Sequence, residues 1–320
     1  MQQRLLGSTG LSVSRLGLGT MTWGRDTDEH EARAQMMAFV EAGGTLVDTA
    51  AGYTDGDSER LIGSLIGDVC ERDEIVLATK AGISRRGRER VTNASRGHLV
   101  STLDASLKRL GVDHVDLWQV HTWVDDAPLE ETLSALDYAV TTGRAAYVGV
   151  SNYSGWQSAQ AATWQRAVPG RATLASNQVE YSLLNRAVEA EVIPAALAMG
   201  LGILPWSPLG RGVLTGKYRG GTPADSRAAS PHFATFVGRH LGESSQRVVE
   251  AVARAADGLG WSLLEVALAW VRDRPGVTAP IVGARTAAQL RESLGVEECE
   301  LPVEIVQALE DVSAHVEVGS

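Results

Sequence analysis

Four ionisable residues lie at or just beyond the ends of three candidate β-strands, and their side chains together could carry out proton transfer. Asp48 falls at the end of one apolar run and Tyr53 follows five residues later, while Lys80 and His121 end the next two runs. If these runs are parallel strands of a barrel, their carboxyl ends meet at one mouth, where catalytic groups are found. A carboxylate, a phenol, an ammonium and an imidazole at one mouth are typical of a site that protonates a reacting oxygen.

Each of these residues can be assigned a role in the reduction of a carbonyl group. Hydride delivery to the carbonyl carbon leaves an alkoxide, which needs a proton, and Tyr53 is the candidate donor. A tyrosine with its ordinary pKa near ~10 is a poor donor at neutral pH, so we expect the Lys80 ammonium to lower that pKa. Asp48 would keep Lys80 charged and in place, and His121 would orient the carbonyl oxygen by a hydrogen bond.

Taken one at a time, the same residues have ordinary structural explanations that remain open. The aspartate could cap a loop, the tyrosine could be packing, the lysine could extend to solvent, and the histidine could be a core residue. Their occurrence together at one expected mouth favours catalysis, because the structural explanation requires four independent coincidences.

The segments that must position these residues alternate between short apolar runs and amphipathic stretches. The runs have the nearly continuous apolar character of strands that are buried on both faces. The predicted strands are Arg15–Gly19, Thr45–Thr49, Ile75–Lys80, Val115–His121, Ala146–Ser151, Leu174–Val179, Gly202–Trp206 and Pro280–Gly283. The predicted helices are 28–42, 57–68, 96–110, 129–142, 154–166, 186–199, 243–257, 262–273, 286–294 and 302–316. This alternation predicts βαβ repetition and a parallel sheet.

Two parallel architectures compete, the closed barrel and the open doubly wound sheet. The open sheet usually carries G-x-G-x-x-G after its first strand, whereas residues 17–22 read GLGTMT and lack the third glycine. We therefore predict an α/β fold of the (β/α)8 TIM-barrel type, with residues 1–320 forming one domain. The turn-rich Gly7–Gly10 predicts an N-terminal β-hairpin that could plug the barrel bottom, and 302–316 would be an extra C-terminal helix.

Composition and charge exclude several classes of function. The net charge of −10 disfavours nucleic-acid partners, because phosphates repel an acidic surface. Cys70 and Cys299 form neither a disulfide framework nor a pair at metal-ligand spacing, so we expect no metal and a reduced, cytoplasmic setting. We expect no secretory signal and no membrane partner, since no apolar run approaches ~20 residues. The choice between monomer and homo-oligomer stays open.

Eight segments, in order along nearly the whole chain, resemble those of the aldo-keto reductase family. The resemblance is to the branch related to bacterial general reductases and potassium-channel β subunits. The segments are GLGTMTWG (17–24), VDTAAGY (47–53), LATKAG (77–82), LWQVHTW (117–123), VGVSNY (148–153), NQVEYSLL (177–184), WSPLGRGVLTGKY (206–218) and IVGARTAAQLRESL (281–294). The resemblance implies a catalytic tetrad at Asp48, Tyr53, Lys80 and His121. It also implies reversible NADPH-dependent reduction of aldehydes and ketones to alcohols, with Tyr53 as general acid.

The resemblance further implies that NADP(H) lies extended across the barrel mouth without a Rossmann motif. Ser151, Asn152 and Gln178 would hydrogen-bond the nicotinamide carboxamide, and Trp206 would stack on the nicotinamide ring. The segment from Ser207 to Lys217 resembles the part of the family that binds the pyrophosphate. The other cofactor residues that the resemblance implies are Gly19, Thr20, Met21, Asp48, Ser207, Pro208, Leu209, Gly210, Gly212, Lys217, Gly283, Arg285, Gln289 and Glu292.

The last matching segment predicts a preference for NADPH over NADH. A helix N-terminus favours phosphate, and the Arg285 guanidinium can form paired hydrogen bonds to a 2′-phosphate. Related enzymes carry Glu then Asn near the adenine. In this chain Glu292 is followed by Ser293, which shortens one of those side chains.

Substrate contacts are expected from Tyr53, His121 and the flat apolar walls that Trp23 and Trp123 could provide. The segment 210–242, which has no clean periodicity, is expected to be a functional loop that also contacts the substrate. These features favour a small aldehyde or ketone.

Two other functions remain open at this stage. One is a regulatory module that retains NADP(H) with low turnover, like the potassium-channel β subunits that the chain resembles. The other is a barrel hydrolase or aldolase that uses Lys80 as a Schiff-base amine, although a paired Asp48 would keep that amine protonated and poorly nucleophilic.

Overall fold

The computed structural model describes residues 1–86, 89–223, 226–229 and 234–314. Its strands are β1 Gln3–Leu5, β2 Ser12–Ser14, β3 Gly17–Gly19, β4 Leu46–Asp48, β5 Val76–Ala81, β6 Ile83–Arg86, β7 Glu89–Thr92, β8 Val115–Val120, β9 Ala145–Ser151, β10 Leu174–Glu180, β11 Gly202–Trp206 and β12 Ile281–Val282. Its helices are α1 Glu29–Glu41, α2 Asp57–Leu65, α3 Arg96–Leu110, α4 Leu129–Thr141, α5 Gly155–Ala167, α6 Val192–Ala198, α7 Ala234–Gly238, α8 Glu243–Leu259, α9 Leu263–Arg272, α10 Ala287–Leu294 and α11 Val303–Ser313.

Eight parallel strands close into a barrel in the order β10-β11-β12-β3-β4-β5-β8-β9. The strands therefore follow one another around the barrel in chain order, and β12 closes the ring against β3. Neighbouring helices pack on one another around the outside, for example α2 on α3 and α3 on α4. The predicted (β/α)8 barrel is confirmed, and α11 is the extra C-terminal helix.

The N-terminal hairpin closes the amino-terminal end of the barrel. Strands β1 and β2 pair antiparallel, as predicted. Leu6 and Val13 of this hairpin are completely buried, and they pack with inward-facing barrel residues such as Leu46, Ala78 and Leu117. The plug leaves the carboxyl ends of the strands as the open end of the barrel.

The observed elements differ from the predicted ones mainly at their ends. The strand predicted at Thr45–Thr49 is Leu46–Asp48, and the one predicted at Pro280–Gly283 is only Ile281–Val282. The helix predicted at 186–199 is instead a 3-10 turn, Ala187–Glu189, followed by α6. Pro194 explains this break, because it has no N–H for the carbonyl four residues earlier and is tolerated only in a helix's first turn.

Two regions contain structure that the sequence patterns did not indicate. Strands β6 and β7 form an antiparallel hairpin directly after β5, in a segment dominated by arginine rather than by β-forming residues. The segment predicted as loop 210–242 contains 3-10 turns at Gly210–Thr215 and Arg227–Ala229 and the helix α7. Positions 224–225 and 230–233 of that segment, and 315–316 of the predicted last helix, lie outside the described residues.

No helix in the described part of the chain is both long and apolar enough to cross a lipid bilayer.

Candidate active site

A cavity of about 1460 Å³ opens at the carboxyl ends of the barrel strands. Residues at the end of, or shortly after, each of the eight barrel strands line it, from Gly19 at the end of β3 to Val282 at the end of β12. This is the end of a (β/α)8 barrel at which active sites are found. Asp48, Tyr53, His121 and nearly all the predicted cofactor residues line this cavity, and Lys80 lies directly behind them.

Asp48 and Lys80 form a buried ion pair at the cavity floor, where Asp48 lines the cavity and Lys80 lies behind it. Strands β4 and β5 pair so that Asp48 lies opposite Ala78, and Lys80 comes two residues further along the same face of its strand. The Lys80 Nζ lies 2.6 Å from Asp48 Oδ2 and 2.7 Å from the carbonyl oxygen of Thr49. Gln178 donates a 2.8 Å hydrogen bond to the other oxygen of Asp48.

Lys80 is held in its charged form by this environment. Burial by itself would lower the pKa of the ammonium, but the negative charge of Asp48 and the nearby Tyr53 outweigh it and raise the pKa. Lys80 does not line the cavity; its ammonium lies 5.2 Å from the centroid of the Tyr53 ring, which does. Lys80 is therefore a fixed positive charge behind the phenol, as the sequence indicated.

Tyr53 begins a 3-10 turn that follows β4 and brings the phenol to the cavity wall. The next two residues, Thr54 and Asp55, have left-handed backbone conformations with φ of 49° and 52°, which are uncommon for residues other than glycine. The Tyr53 and His121 rings meet edge to face, with centroids 5.8 Å apart.

Lys80 was expected to lower the pKa of Tyr53 below its ordinary value. The net shift has the opposite direction, and the pKa of Tyr53 is raised. Burial disfavours the phenolate and raises the pKa of Tyr53 above its usual 10.0; the charge of Lys80 acts in the expected direction, but it does not overcome burial. The charge of Asp48 also works against Lys80. The phenol therefore carries its proton at neutral pH, as a donor must.

His121 is a neutral imidazole in this site. Burial lowers its pKa well below 6.5, and the positive charges of Lys80 and Arg90 lower it further. Its Nδ1 atom is buried and has no hydrogen-bond partner among the described residues. A neutral ring carries one N–H, so His121 can donate a single hydrogen bond to an oxygen in the cavity without competing with Tyr53 as an acid.

The amide and hydroxyl side chains predicted at the nicotinamide lie together after β9 and β10. Ser151 donates a 2.8 Å hydrogen bond to the carbonyl of Gln178, and Asn152 donates to the carbonyl of His121 at 3.0 Å. The indole of Trp206 donates to Asn152 Oδ1 at 3.0 Å. These bonds fix the orientation of the Asn152 amide and of the Trp206 ring, and all four residues line the cavity.

The segment after β11 lines the cavity with Ser207, Pro208, Leu209, Gly212 and Lys217, as predicted. Ser207 takes a left-handed conformation with φ of 52°.

Gly210 was predicted to contact the cofactor, but it is buried and does not line the cavity. A Cβ at this position would lie 2.7 Å from Cδ1 of Leu184, and its φ is +54°. The glycine is therefore required by packing beneath the segment rather than by a ligand.

The predicted 2′-phosphate end of the site lies at the start of α10. Arg285, Gln289 and Glu292 line the cavity there, together with Gly283. The Arg285 amide donates to Gln289 Oε1 at 3.1 Å. The first amide of α10, that of Ala287, already donates a 2.7 Å hydrogen bond to a carboxylate oxygen of Glu31. The helix N-terminus is thus partly satisfied by the protein itself.

The two tryptophans predicted as substrate walls lie elsewhere. Trp23 is completely buried, and its indole donates a 3.1 Å hydrogen bond to Gln35 on α1, so a ligand in the cavity does not reach it. Trp123 is half-buried and packs edge to face on Tyr153 and Trp156 outside the lining of the cavity. Neither side chain lines the cavity in this structure, because a sequence position near a strand end does not fix the direction of a side chain.

Several lining residues were missed by the sequence analysis. Phe236 on α7 stacks nearly parallel to Trp206, with centroids 6.5 Å apart and an interplanar angle of 14°. Ile83 and Arg90 reach the cavity from the β6–β7 hairpin. Phe236 is one of only three phenylalanines in the chain and follows Phe233 by three residues, and this pair of aromatics in an otherwise aperiodic segment was the available signal.

Comparison with known proteins agrees with this architecture. Residues 15–314 match the Aldo/keto reductase family. The chain is 38% identical to the oxidoreductase YrpG of Bacillus subtilis, over 98% of this chain and 96% of that protein. It is 37% identical to a probable voltage-gated potassium channel subunit beta of Oryza sativa, over 92% of this chain and 90% of that protein. It is 33% identical to L-glyceraldehyde 3-phosphate reductase of Escherichia coli, over 92% of this chain and 87% of that protein. The chain therefore belongs to the aldo-keto reductase family of oxidoreductases.

Proposed function

We propose that this protein reduces aldehydes and ketones to alcohols with NADPH, and that Tyr53 is the proton donor. The observation that carries the proposal is the meeting of a protonated phenol and a neutral imidazole at one cavity wall, with the Lys80–Asp48 ion pair directly behind them. Membership of the family supports a nicotinamide cofactor in general.

The residues around the cavity fit such a cofactor. Gln178 is almost completely buried, its Nε2 is used by Asp48, and its Oε1 receives no hydrogen bond from the described residues, so that oxygen can accept from a carboxamide. The nearest atom to a Cβ built on Gly283 is 3.7 Å away, which leaves its backbone open to close approach. Bound NADPH would supply the hydride to the carbonyl carbon.

The tetrad performs the remaining chemistry. His121 donates its one N–H to the carbonyl oxygen and orients it. Tyr53 gives its proton to that oxygen as the alkoxide forms, and the resulting phenolate is stabilised by the ammonium of Lys80. Asp48 keeps that ammonium charged and in place. The phenolate then takes a proton from solvent, which returns the site to its starting state.

The proposal is tested with a panel of aldehydes and ketones, followed by the loss of NADPH absorbance, for the wild type and for Tyr53→Phe. We expect Tyr53→Phe to lower kcat at least about a hundredfold, because it removes the general acid. The matched control is Tyr147→Phe, which removes a hydroxyl near the hairpin plug, far from the tetrad in the barrel. Equal turnover by Tyr53→Phe and the wild type on every substrate would overturn the assignment.

The preference for NADPH is assigned to the Arg285 guanidinium rather than to the first amide of α10, because Glu31 accepts from that amide. We expect Arg285→Ala to weaken NADPH binding much more than NADH binding, measured by fluorescence titration. Arg291→Ala, an exposed position on the same helix, is the control. Equal losses for the two cofactors in Arg285→Ala would contradict the assignment.

A second function is favoured by the potassium channel subunit among the relatives. On that alternative the protein binds NADP(H) as a regulatory ligand and turns over slowly. Pre-steady-state mixing distinguishes the two functions, because a regulatory module gives one stoichiometric oxidation of bound NADPH followed by negligible steady-state turnover. An enzyme gives continued turnover on at least one substrate of the panel.

A further inference from the structure

The part of the cavity beside Tyr53 and His121 is where the reacting carbonyl must lie, and it contains an unusual arrangement of charge. Besides Asp48, the charged residues that line the cavity include Arg25, Asp55 and Arg90. The arginines differ in their partners. Arg25 forms an ion pair with Asp26 at 2.7 Å. The Arg90 guanidinium has no hydrogen bond or salt bridge to any residue that the structure describes.

Arg90 is held close to the tetrad by the β6–β7 hairpin. The base of this hairpin packs against the turn that carries Tyr53: a Cβ on Gly52 would lie 2.6 Å from the carbonyl oxygen of Ile83, so only glycine fits there. The amide of Asn93 closes the hairpin by a 2.9 Å hydrogen bond to Gly82. The base of the hairpin is therefore packed beside Tyr53, and Arg90 lines the same cavity.

The electrostatic influence of Arg90 reaches the reacting end. Its positive charge is one of the causes that lower the pKa of His121, whereas Asp55 is not among the charges that act on His121 or on Tyr53. The surrounding sequence has the same sign. Residues 83–92 carry four arginines and one glutamate, in a chain whose net charge is −10. The sequence around Arg90 is thus locally positive in an acidic chain.

We propose that Arg90 makes this protein selective for carbonyl substrates that carry a carboxylate or phosphate group a few bonds from the carbonyl carbon. A guanidinium is planar and presents paired N–H donors that match both anions, and an arginine without an internal partner gives up no protein contact when it binds one. The neutral His121 and the protonated Tyr53 both donate hydrogen bonds to the carbonyl oxygen. Arg90 is therefore the residue that binds the anionic group. This inference rests on the proposed reductase function.

The test compares matched pairs of neutral and anionic substrates. The carboxylate arm is 4-methylbenzaldehyde against 4-carboxybenzaldehyde, and the phosphate arm is glyceraldehyde against glyceraldehyde 3-phosphate. The ratio of kcat/KM for the anionic to the neutral partner is measured in the wild type, Arg90→Leu and Arg90→Lys. One charge-assisted hydrogen-bonded pair corresponds to about tenfold to a hundredfold in this ratio. We expect Arg90→Leu to lose that factor in at least one arm, mainly through KM, and Arg90→Lys to retain part of it.

The control is Arg33→Leu, which removes one positive charge from an exposed position on α1 and so reports any general effect of net charge. An unchanged kcat/KM for the neutral aldehydes in Arg90→Leu shows that the variant is folded and that its tetrad is intact. If both arms show the same anionic-to-neutral ratio in wild type and Arg90→Leu while neutral aldehydes are reduced, the selectivity inference fails and the reductase function stands. If the wild type reduces no substrate, both fail.

Discussion

Two buried ion clusters lie at the same mouth of the barrel, and they have different tasks. The first is the Asp48–Lys80 pair, whose side chains are 3% and 0% exposed. The second, here called the loop cluster, consists of Glu180, Arg211 and His240. In the loop cluster, Arg211 makes two hydrogen bonds to the carboxylate of Glu180, at 2.9 and 2.7 Å, and His240 lies 3.2 Å from the same group.

The two clusters differ in what they join. Asp48 and Lys80 belong to neighbouring barrel strands, so the strand pairing fixes their distance before any charge is considered. Glu180 ends β10, whereas Arg211 and His240 come from the segment after β11, which has little regular structure of its own. Arg211 also has a left-handed backbone (φ 60°), and its guanidinium lies 3.7 Å from the centroid of the Phe236 ring.

This difference shows that a buried charge pair can be positioned by the fold, or can itself hold a segment of the fold in place. The barrel positions the Asp48–Lys80 pair, and the pair in turn places a positive charge behind the Tyr53 ring. The loop cluster does the reverse: it positions the segment that stacks Phe236 on Trp206 at the cavity wall. We therefore expect the first pair to be needed mainly for turnover and the second mainly for stability and ligand binding.

The largest effect is expected when Lys80 is removed. Lys80→Met leaves Asp48 buried without its cation, so we expect a loss of about 3 to 5 kcal/mol in the free energy of unfolding and at least about a hundredfold loss in kcat. The double variant Lys80→Met/Asp48→Asn removes both charges, and we expect it to regain most of the stability but none of the activity. Urea unfolding and NADPH-coupled turnover measure the two quantities. A double variant as unstable as the single one would contradict this separation.

A smaller loss of activity is expected when the loop cluster is broken. Glu180→Gln leaves Arg211 without its counter-ion in a mostly buried site, so we expect about 3 kcal/mol of destabilisation and a raised KM for the cofactor, with kcat changed only a few-fold at saturation.

The matched control for the loop cluster is Glu250→Gln, which breaks the exposed Arg219–Glu250 pair. We expect that variant to have the melting temperature of the wild type, because exposed ion pairs are screened by water. A loss of kcat in Glu180→Gln as large as that in Lys80→Met would show that the two clusters do not have separate tasks.

Acid should also weaken the loop cluster. Burial opposes ionisation of Glu180, but its bonds to His240 and Arg211 outweigh burial and hold the pKa of the carboxyl below 4.5. The stabilisation is therefore fully present above the unfolded carboxyl's pKa, and it is lost as the pH falls through the lower pKa of the folded state.

The smallest effect is expected from pH between the ordinary pKa values of histidine and tyrosine. The pKa of His121 lies well below 6.5 and that of Tyr53 lies above 10.0, so neither group titrates between those values. We expect kcat/KM for reduction of a neutral aldehyde to be constant over this range and to fall only on the alkaline side, where Tyr53 loses its proton. An inflection inside the range, absent from a variant of either residue, would assign the titration to that residue.

The sequence by itself determined the barrel and the tetrad. Continuous apolar strands that alternate with helical patterns fit only a few folds. The absence of the third glycine in 17–22 disfavoured the open doubly wound sheet, which was the main alternative to the barrel. Asp48, Lys80 and His121 lie at or next to the carboxyl ends of three strands, and parallel strands end on the same side, so their meeting follows from topology alone. The predicted cofactor residues came from the family's motifs rather than from any local physical signal.

Tertiary structure decided what depends on packing between segments distant in sequence. The net pKa direction of Tyr53 is set by burial, which no spacing of residues reveals. The Trp23 indole lies in the core and donates to Gln35, and Leu184 fills the space where a Cβ of residue 210 would lie, although both positions belong to motifs that border the site. Arg90 reaches the cavity through a hairpin without β-forming residues in its sequence. In each case a side chain's direction and solvent exposure result from contacts between distant segments, and a linear pattern does not contain that information.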